Sequence, residues 1–152
     1  MTNLKAVPKT TEYHVSVVLI EHVPVMWDSV KDMLAPAVDR SHGRWTMEHL
    51  YHAVLTGSQN LWVIFDDDMS VIGVATTQRV VYPNSVVLAY QFLGGTDFGN
   101  WVSDLLEVTG RFAKDIGCST VEGVGRFGFW PYMKKEGWSK TYCIFEKSLV
   151  ED

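Results

Sequence analysis

Three strand-like runs in close succession, Leu61–Phe65, Val71–Val81 and Val86–Leu93, dictate most of what this chain can become. The gaps between them are short and rich in turn residues. Asp66, Asp67 and Asp68 fill the first, and Pro83 with Asn84 fills the second. Gaps of that length cannot carry a crossover, so the three runs must pair as an antiparallel meander. Such a sheet needs apolar partners on its faces, and helical spacing supplies them on both sides of the run. Met26, Val30, Met33, Leu34 and Ala37 recur at three and four, with Pro24 suited to a first turn and Pro36 placed to interrupt or end the helix. A second helix follows the polar 39–44 loop. Thr46 is its expected N-cap, Met47, Leu50, Tyr51, Val54 and Leu55 its stripe, and Gly57 its stop.

After the meander, Gly94, Gly95 and Gly99 open a loop and Asn100 is the expected cap of a third helix carrying Val102, Leu105, Leu106, Phe112, Ala113 and Ile116. Thr120–Val124 is then a short strand. Strand, helix and strand in that order form a crossover, which makes the last two strands parallel neighbours. A glycine-rich turn leads to a short helix near residues 131–136, and Trp138–Leu149 alternates like a final strand. Upstream, His14–Ile20 is the expected first strand, and residues 1–13 read as a flexible arm ahead of one domain over 14–152.

Composition closes off several function classes. The chain has 152 residues, 13 Lys+Arg against 18 Asp+Glu, and a net charge of −5. An acidic protein without a basic run is not built to neutralise phosphates, which excludes a nucleic-acid surface. No stretch approaches the ~20 apolar residues of a membrane span, and no signal-peptide h-region precedes the fold. The expected location is therefore the cytoplasm. Cys118 and Cys143 are expected as reduced core thiols. His42, His49 and His52 with Asp39 lack a convincing fourth donor, so no metal site is expected. Gly123–Gly128 superficially follows a dinucleotide fingerprint, yet no second crossover unit comes after it.

The order strand, two helices, three antiparallel strands, helix, strand, short helix, strand resembles the GNAT superfamily of acyl-CoA-dependent N-acyltransferases. Ala113-Lys-Asp-Ile-Gly117-Cys before Thr120-Val-Glu-Gly-Val124, and Met133-Lys-Lys-Glu-Gly137-Trp138 near the end, carry the likeness. It implies an α+β fold with a mixed, mostly antiparallel sheet, a splayed central parallel strand pair and about four helices. It also implies acyl-CoA, typically acetyl-CoA, held between the splayed strands with its pyrophosphate at a helix N-terminus, where unpaired amides favour an anion. The family's phosphate loop falls in one of two registers, Gln91-Phe-Leu-Gly94-Gly95-Thr96 or Asp97-Phe-Gly-Asn-Trp-Val102. The cofactor-binding candidates are accordingly Phe92, Leu93, Gly94, Gly95, Gly99 and Asn100. Glu122 is the candidate base and Tyr132 the candidate acid, with an amine on a small molecule or protein as acceptor. Arg126 is a candidate for a phosphate or carboxylate at the mouth.

The chain is similar in size and divergence to the members encoded by tailed bacteriophages. A second reading therefore stands beside the enzyme: a non-catalytic GNAT-fold virion or assembly component, or a host-protein-binding module. For that reading Phe127, Phe129 and Trp130 are the partner-binding candidates, as an aromatic patch, and homo-oligomers are within reach.

Overall fold

The computed structural model describes residues 11–150. Elements follow in the order β1 (His14–Val17), a 3-10 turn at Ile20–His22, α1 (Val23–Asp39), α2 (Met47–Thr56), β2 (Asn60–Phe65), β3 (Val71–Tyr82), β4 (Ser85–Gly95), α3 (Phe98–Asp115), β5 (Thr120–Gly123), a 3-10 turn at Phe127–Phe129 and α4 (Trp130–Lys135). Among the described residues the strands form one five-stranded sheet in the order β1-β2-β3-β4-β5. The first three pairings are antiparallel and β4–β5 is parallel. This is the expected α+β architecture with its meander and crossover.

Both faces of the sheet are covered. Val23, Trp27, Val30, Leu34 and Val38 of α1 form one buried stripe, which joins Leu50 and Val54 of α2 against Leu61, Val63, Val74 and Phe92. On the other face Trp101 and Leu105 of α3 pack on Trp62, Ile64 and Ala75. Since β2 is buried on both sides, it reads as the unbroken apolar run Leu61–Ile64 instead of an alternation. The helix ends are fastened locally. Thr46 Oγ1 accepts the His49 N–H at 3.1 Å, and Gly57 closes α2 at φ 81°. Asp66 Oδ1 accepts the amides of Asp68 at 2.9 Å and Ser70 at 3.0 Å, so the acidic tip is a self-bonded turn.

Several boundaries differ from the sequence expectation. Pro36 neither ends nor interrupts α1, because buried Leu34 and Val38 straddle it and hold the last turn on the sheet. β1 stops at Val17, where the chain turns into the 3-10 segment. β4 runs on to Gly95. α3 begins at Phe98, earlier than a cap at Asn100 allows, because the Phe98 ring packs on Trp101 one turn later at 5.1 Å and fixes the first turn. Residues 1–10 of the expected N-terminal arm lie outside the described residues. Next to them, Tyr13 packs on the α3-side cluster and the Glu12 N–H donates to Asp67 at 3.3 Å.

The largest correction concerns Trp138–Leu149, which forms no strand. Alternation produces a strand only where a neighbouring edge takes up the hydrogen bonds. This segment is fixed instead by side chains, Trp138 against Tyr90 at 5.7 Å and Glu146 against Arg44, and residues 139–150 are exposed. The expected core thiols are corrected with it: Cys143 sits in this exposed segment, and Cys118 is half-buried at the end of α3.

Candidate active site

The site begins with an irregularity in β4. Thr76 of β3 stands opposite Phe92 and Thr77 opposite Tyr90, so Gln91 is an extra residue with no counterpart. In a regular strand Tyr90 and Phe92 would share a face. Here Tyr90 turns toward α3 and hydrogen-bonds Thr109, whereas Phe92 enters the α1–α2 cluster. The parallel ladder to β5 ends at the same point. Its last pair is Tyr90 with Gly123, and Gln91–Gly95 continue unpaired on that side. The ladder thus opens at the bulge, and the backbone groups of β4 beyond it have no β5 partner.

The start of α3 stands beyond this opening. Its first-turn amides have no intrahelical acceptors, apart from the tight turn in which Asn100 N–H donates to Asp97 O at 2.9 Å. Asp97 occupies the N-cap in a left-handed conformation, φ 59°, without a capping bond from its carboxylate. Rings surround the position: Phe98 meets Phe129 at 5.1 Å and Tyr132 at 5.2 Å. The Arg126 guanidinium lies 5.3 Å above the Phe129 ring, which brings a cation to this end of the helix.

The glycines here have packing reasons. A Cβ on Gly94 would sit inside the van der Waals shell of the Met33 carbonyl oxygen, 2.7 Å from its carbon. Gly95 adopts φ +119°, and a Cβ there would lie 2.6 Å from the Gly73 Cα. A Cβ on Gly99 would reach the Tyr132 ring at 3.0 Å. Of the two loop registers, Asp97–Val102 coincides with the start of α3, and Gln91–Thr96 lies along β4 and its exit. Phe92 is buried and Leu93 half-buried, so only their main chain borders the opening.

Glu122 lies on β5 opposite Ala89, one pair short of where the strands separate. Its Oε2 accepts the Tyr82 hydroxyl at 3.1 Å, a contact that holds the Tyr82 phenol above its ordinary pKa, chiefly through that hydrogen bond and then through the carboxylate charge. Sequence reading missed Tyr82, because nothing in the exit of β3 signals a reach across β4. Tyr132 is anchored at the other end, against Gly99 and Phe98. Glu122 and Tyr132 therefore stand on different elements, the first bonded to the end of β3 and the second packed on the start of α3.

The aromatic partner patch does not assemble. Phe127 projects, 91% exposed, but Phe129 faces Phe98 and Trp130 is half-buried beneath Lys140, whose Nζ lies 4.7 Å from the ring. Of the three histidines, His49 Nδ1 meets Thr46 Oγ1 at 2.6 Å, His42 faces Glu146, and His52 lines a hollow along α2. Two surface hollows, about 430 Å3 along α2 and about 390 Å3 beside β1, are lined by residues away from the opening.

Burial pushes the Tyr90 phenol above its ordinary pKa, with the Thr109 hydrogen bond acting in the opposite direction. The folded state therefore keeps its proton where the unfolded chain, titrating near pH ~10, releases it. The stability contribution is present below about pH 10 and falls as pH rises toward the elevated folded value. Tyr90→Phe is expected to cost about 1 kcal/mol at neutral pH and to make the decline above about pH 10 shallower, as read from urea midpoints. Parallel pH profiles for the two proteins would refute the assignment.

No protein-family model and no curated protein matches the sequence. Solved structures match in fold. A GNAT family acetyltransferase from Staphylococcus aureus superposes with TM-score 0.61 at 12% identity, over 90% of this chain and 98% of that one. Glucosamine-6-phosphate N-acetyltransferase from Arabidopsis thaliana gives 0.62 at 11%, over 91% and 99%. A transcriptional regulator from Bacillus halodurans gives 0.64 at 13%, over 91% and 100%. The chain has the GNAT fold. Its neighbours include acetyltransferases, and at such identities the likeness speaks for architecture alone. No described helix is long and apolar enough to cross a membrane.

Proposed function

We propose that the protein is an acyl-CoA-dependent N-acyltransferase, with acetyl transfer as its chemistry. The observation that carries this reading is the parting of β4 from β5 at the Gln91 bulge, next to the α3 N-terminus. A regular sheet would gain hydrogen bonds by closing that gap, and this one gives them up. The chain's groups fit an acyl-CoA in two places: the unpaired main chain of residues 91–95 for the extended arm, and the first amides of α3 with Arg126 for the phosphates. Asp97 opposes the second, and the glycines there serve packing, so phosphate binding is expected to lean on Arg126.

A bound acyl-CoA supplies the activated thioester. Glu122 takes the proton from the attacking amine, directly or through water, with its carboxylate oriented by the Tyr82 hydroxyl. As the acyl C–N bond forms and the C–S bond breaks, Tyr132 Oη on the α3 side supplies the proton that the departing thiolate takes up. At a hundredfold excess over a micromolar dissociation constant, acetyl-CoA is expected to add ~2.7 kcal/mol of stability, raising the melting temperature by about 5 to 10 °C. An unchanged melting curve with acetyl-CoA and longer acyl-CoAs would sink the reading. Glu122→Gln is expected to lower turnover about a hundredfold or more while leaving the melting temperature in place. Full turnover in that variant would remove Glu122 from the mechanism.

Asp97 at the helix start and the rings of Phe98, Phe129 and Tyr132 around it favour a second reading. In it the fold is a phage-type virion, assembly or host-binding scaffold without transfer activity. The same melting experiment separates the two.

A further inference from the structure

Three metal-ligating side chains meet at the outer edge of the sheet, where β1 runs beside the β2–β3 hairpin. Two strands separate the place from the parting of β4 and β5. His14 opens β1, Glu12 precedes it by two residues, and Asp67 comes from the turn between β2 and β3. One donor atom from each lies within 4.8 Å of the other two. Glu12 and Asp67 are 55 residues apart, so no spacing in the sequence announces the group.

The fold holds two of the three in place. His14 pairs with Phe65 across β1 and β2, and its ring stacks on the Phe65 ring at 5.3 Å with the planes 25° apart. Asp67 is held over the start of β1, because its Oδ2 accepts the Glu12 N–H at 3.3 Å. Its other oxygen, Oδ1, lies 3.5 Å from His14 Nε2. That separation decides what the pair is suited to. It exceeds the about 2.7–2.9 Å of a strong charge-assisted hydrogen bond. It matches the edge of a tetrahedron around Zn2+, which is about 3.4 Å for metal–ligand bonds of about 2.0–2.1 Å. The Glu12 carboxylate then has to close by at most about 1.4 Å, a small movement for an exposed glutamate.

Charge and donor type point the same way. Among the described residues the salt bridges bring no Lys or Arg to Glu12 or Asp67, so the carboxylates are not already neutralised by a fixed cation. An acidic tip alone would suit Mg2+ or Ca2+, which take oxygen ligands. The imidazole changes the preference toward a borderline metal.

We propose that Glu12, His14 and Asp67 form a site for a divalent transition-metal ion, suited to Zn2+, with water completing the coordination. The site is independent of acyl transfer. Its ion ties the chain entering β1 to the hairpin tip, and so fastens an edge strand that pairs on one side only.

The test uses the full chain, treated with EDTA and then titrated by calorimetry with Zn2+, Mg2+ and Ca2+ in separate arms, with the His14 imidazole followed by NMR. One Zn2+ per chain is expected to bind at least about tenfold tighter than either other ion and to shift the His14 signals. At a hundredfold excess over its dissociation constant it is expected to raise the melting temperature by about 5 to 10 °C. His14→Gln and Asp67→Asn are each expected to weaken Zn2+ at least about tenfold, since even a residue that merely supports a ligand is worth that much. Asp68→Asn removes the same charge from the tip without removing a donor, and is expected to change the affinity by less than about twofold. His52→Ala controls in the same way for the histidines of α2. All four positions are exposed, so the variants are expected to melt with the unaltered protein when metal is absent. Equal Zn2+ affinity in His14→Gln and the unaltered protein would overturn the proposal, as would loss of binding in His52→Ala. Ca2+ bound as tightly as Zn2+ would overturn it too, leaving an acidic surface only.

Discussion

Gly94→Ala is expected to lower stability by at least about 3 kcal/mol, enough to unfold a domain of ordinary stability. Substituting alanine for glycine ordinarily helps, by about 0.4–1 kcal/mol, because the unfolded chain loses freedom. Gly94 reverses that sign. The added methyl would meet the Met33 carbonyl, which belongs to the backbone of α1 and cannot swing aside as a side chain would. Relief requires α1 to retreat from β4, and Val30 and Leu34, both fully buried, retreat with it. Gly128, with nothing within 4 Å of an added Cβ, is the control, and its alanine variant should stay within about 0.5 kcal/mol. Urea unfolding of the two variants decides the matter: a loss below 1 kcal/mol at Gly94 would mean that the helix is not seated this closely.

Trp101→Ala should cost a further large amount, about 3–5 kcal/mol. The indole is completely buried. Its face covers Gly73, where a Cβ would come within 2.7 Å of the ring, and its Nε1–H donates to the Thr96 carbonyl at 2.6 Å. Truncation leaves a cavity between α3 and the sheet and removes the hydrogen bond to that carbonyl. Trp101→Phe keeps most of the volume and loses the hydrogen bond, so its expected cost is about 1–2 kcal/mol. The difference between the two variants isolates packing from polarity. A Trp101→Ala protein within 2 kcal/mol of the parent would show that α3 is held by other contacts.

Local rules carried the fold a long way. Turn residues at 66–68 and 83–84 set the meander, Thr46 and Gly57 bounded α2, and the crossover gave the parallel pair. Those features depend on near neighbours, and a sequence displays near neighbours directly. What it does not display is which distant atoms a residue will meet. Gly94 and Gly95 look like phosphate-loop glycines in the sequence, yet Met33 and Ile72–Gly73 account for them. Trp138–Leu149 alternates as a strand should, but pairing is a property of two segments and only one is visible in the pattern. Tyr82 beside Glu122 and Arg44 beside Glu146 are separated by 40 and 102 residues. No spacing rule spans such intervals.

The extra residue in β4 has a consequence for how the strand tolerates change. Thr77 already stands opposite Tyr90 and Thr76 opposite Phe92, so the β3–β4 ladder is complete without the residue between them. Excising it would leave Phe92, Leu93 and Gly94 on the faces they occupy and straighten the strand, removing the local twist that a bulge imposes. The length of this strand thus governs its course past β5, and its side-chain facing would survive the loss.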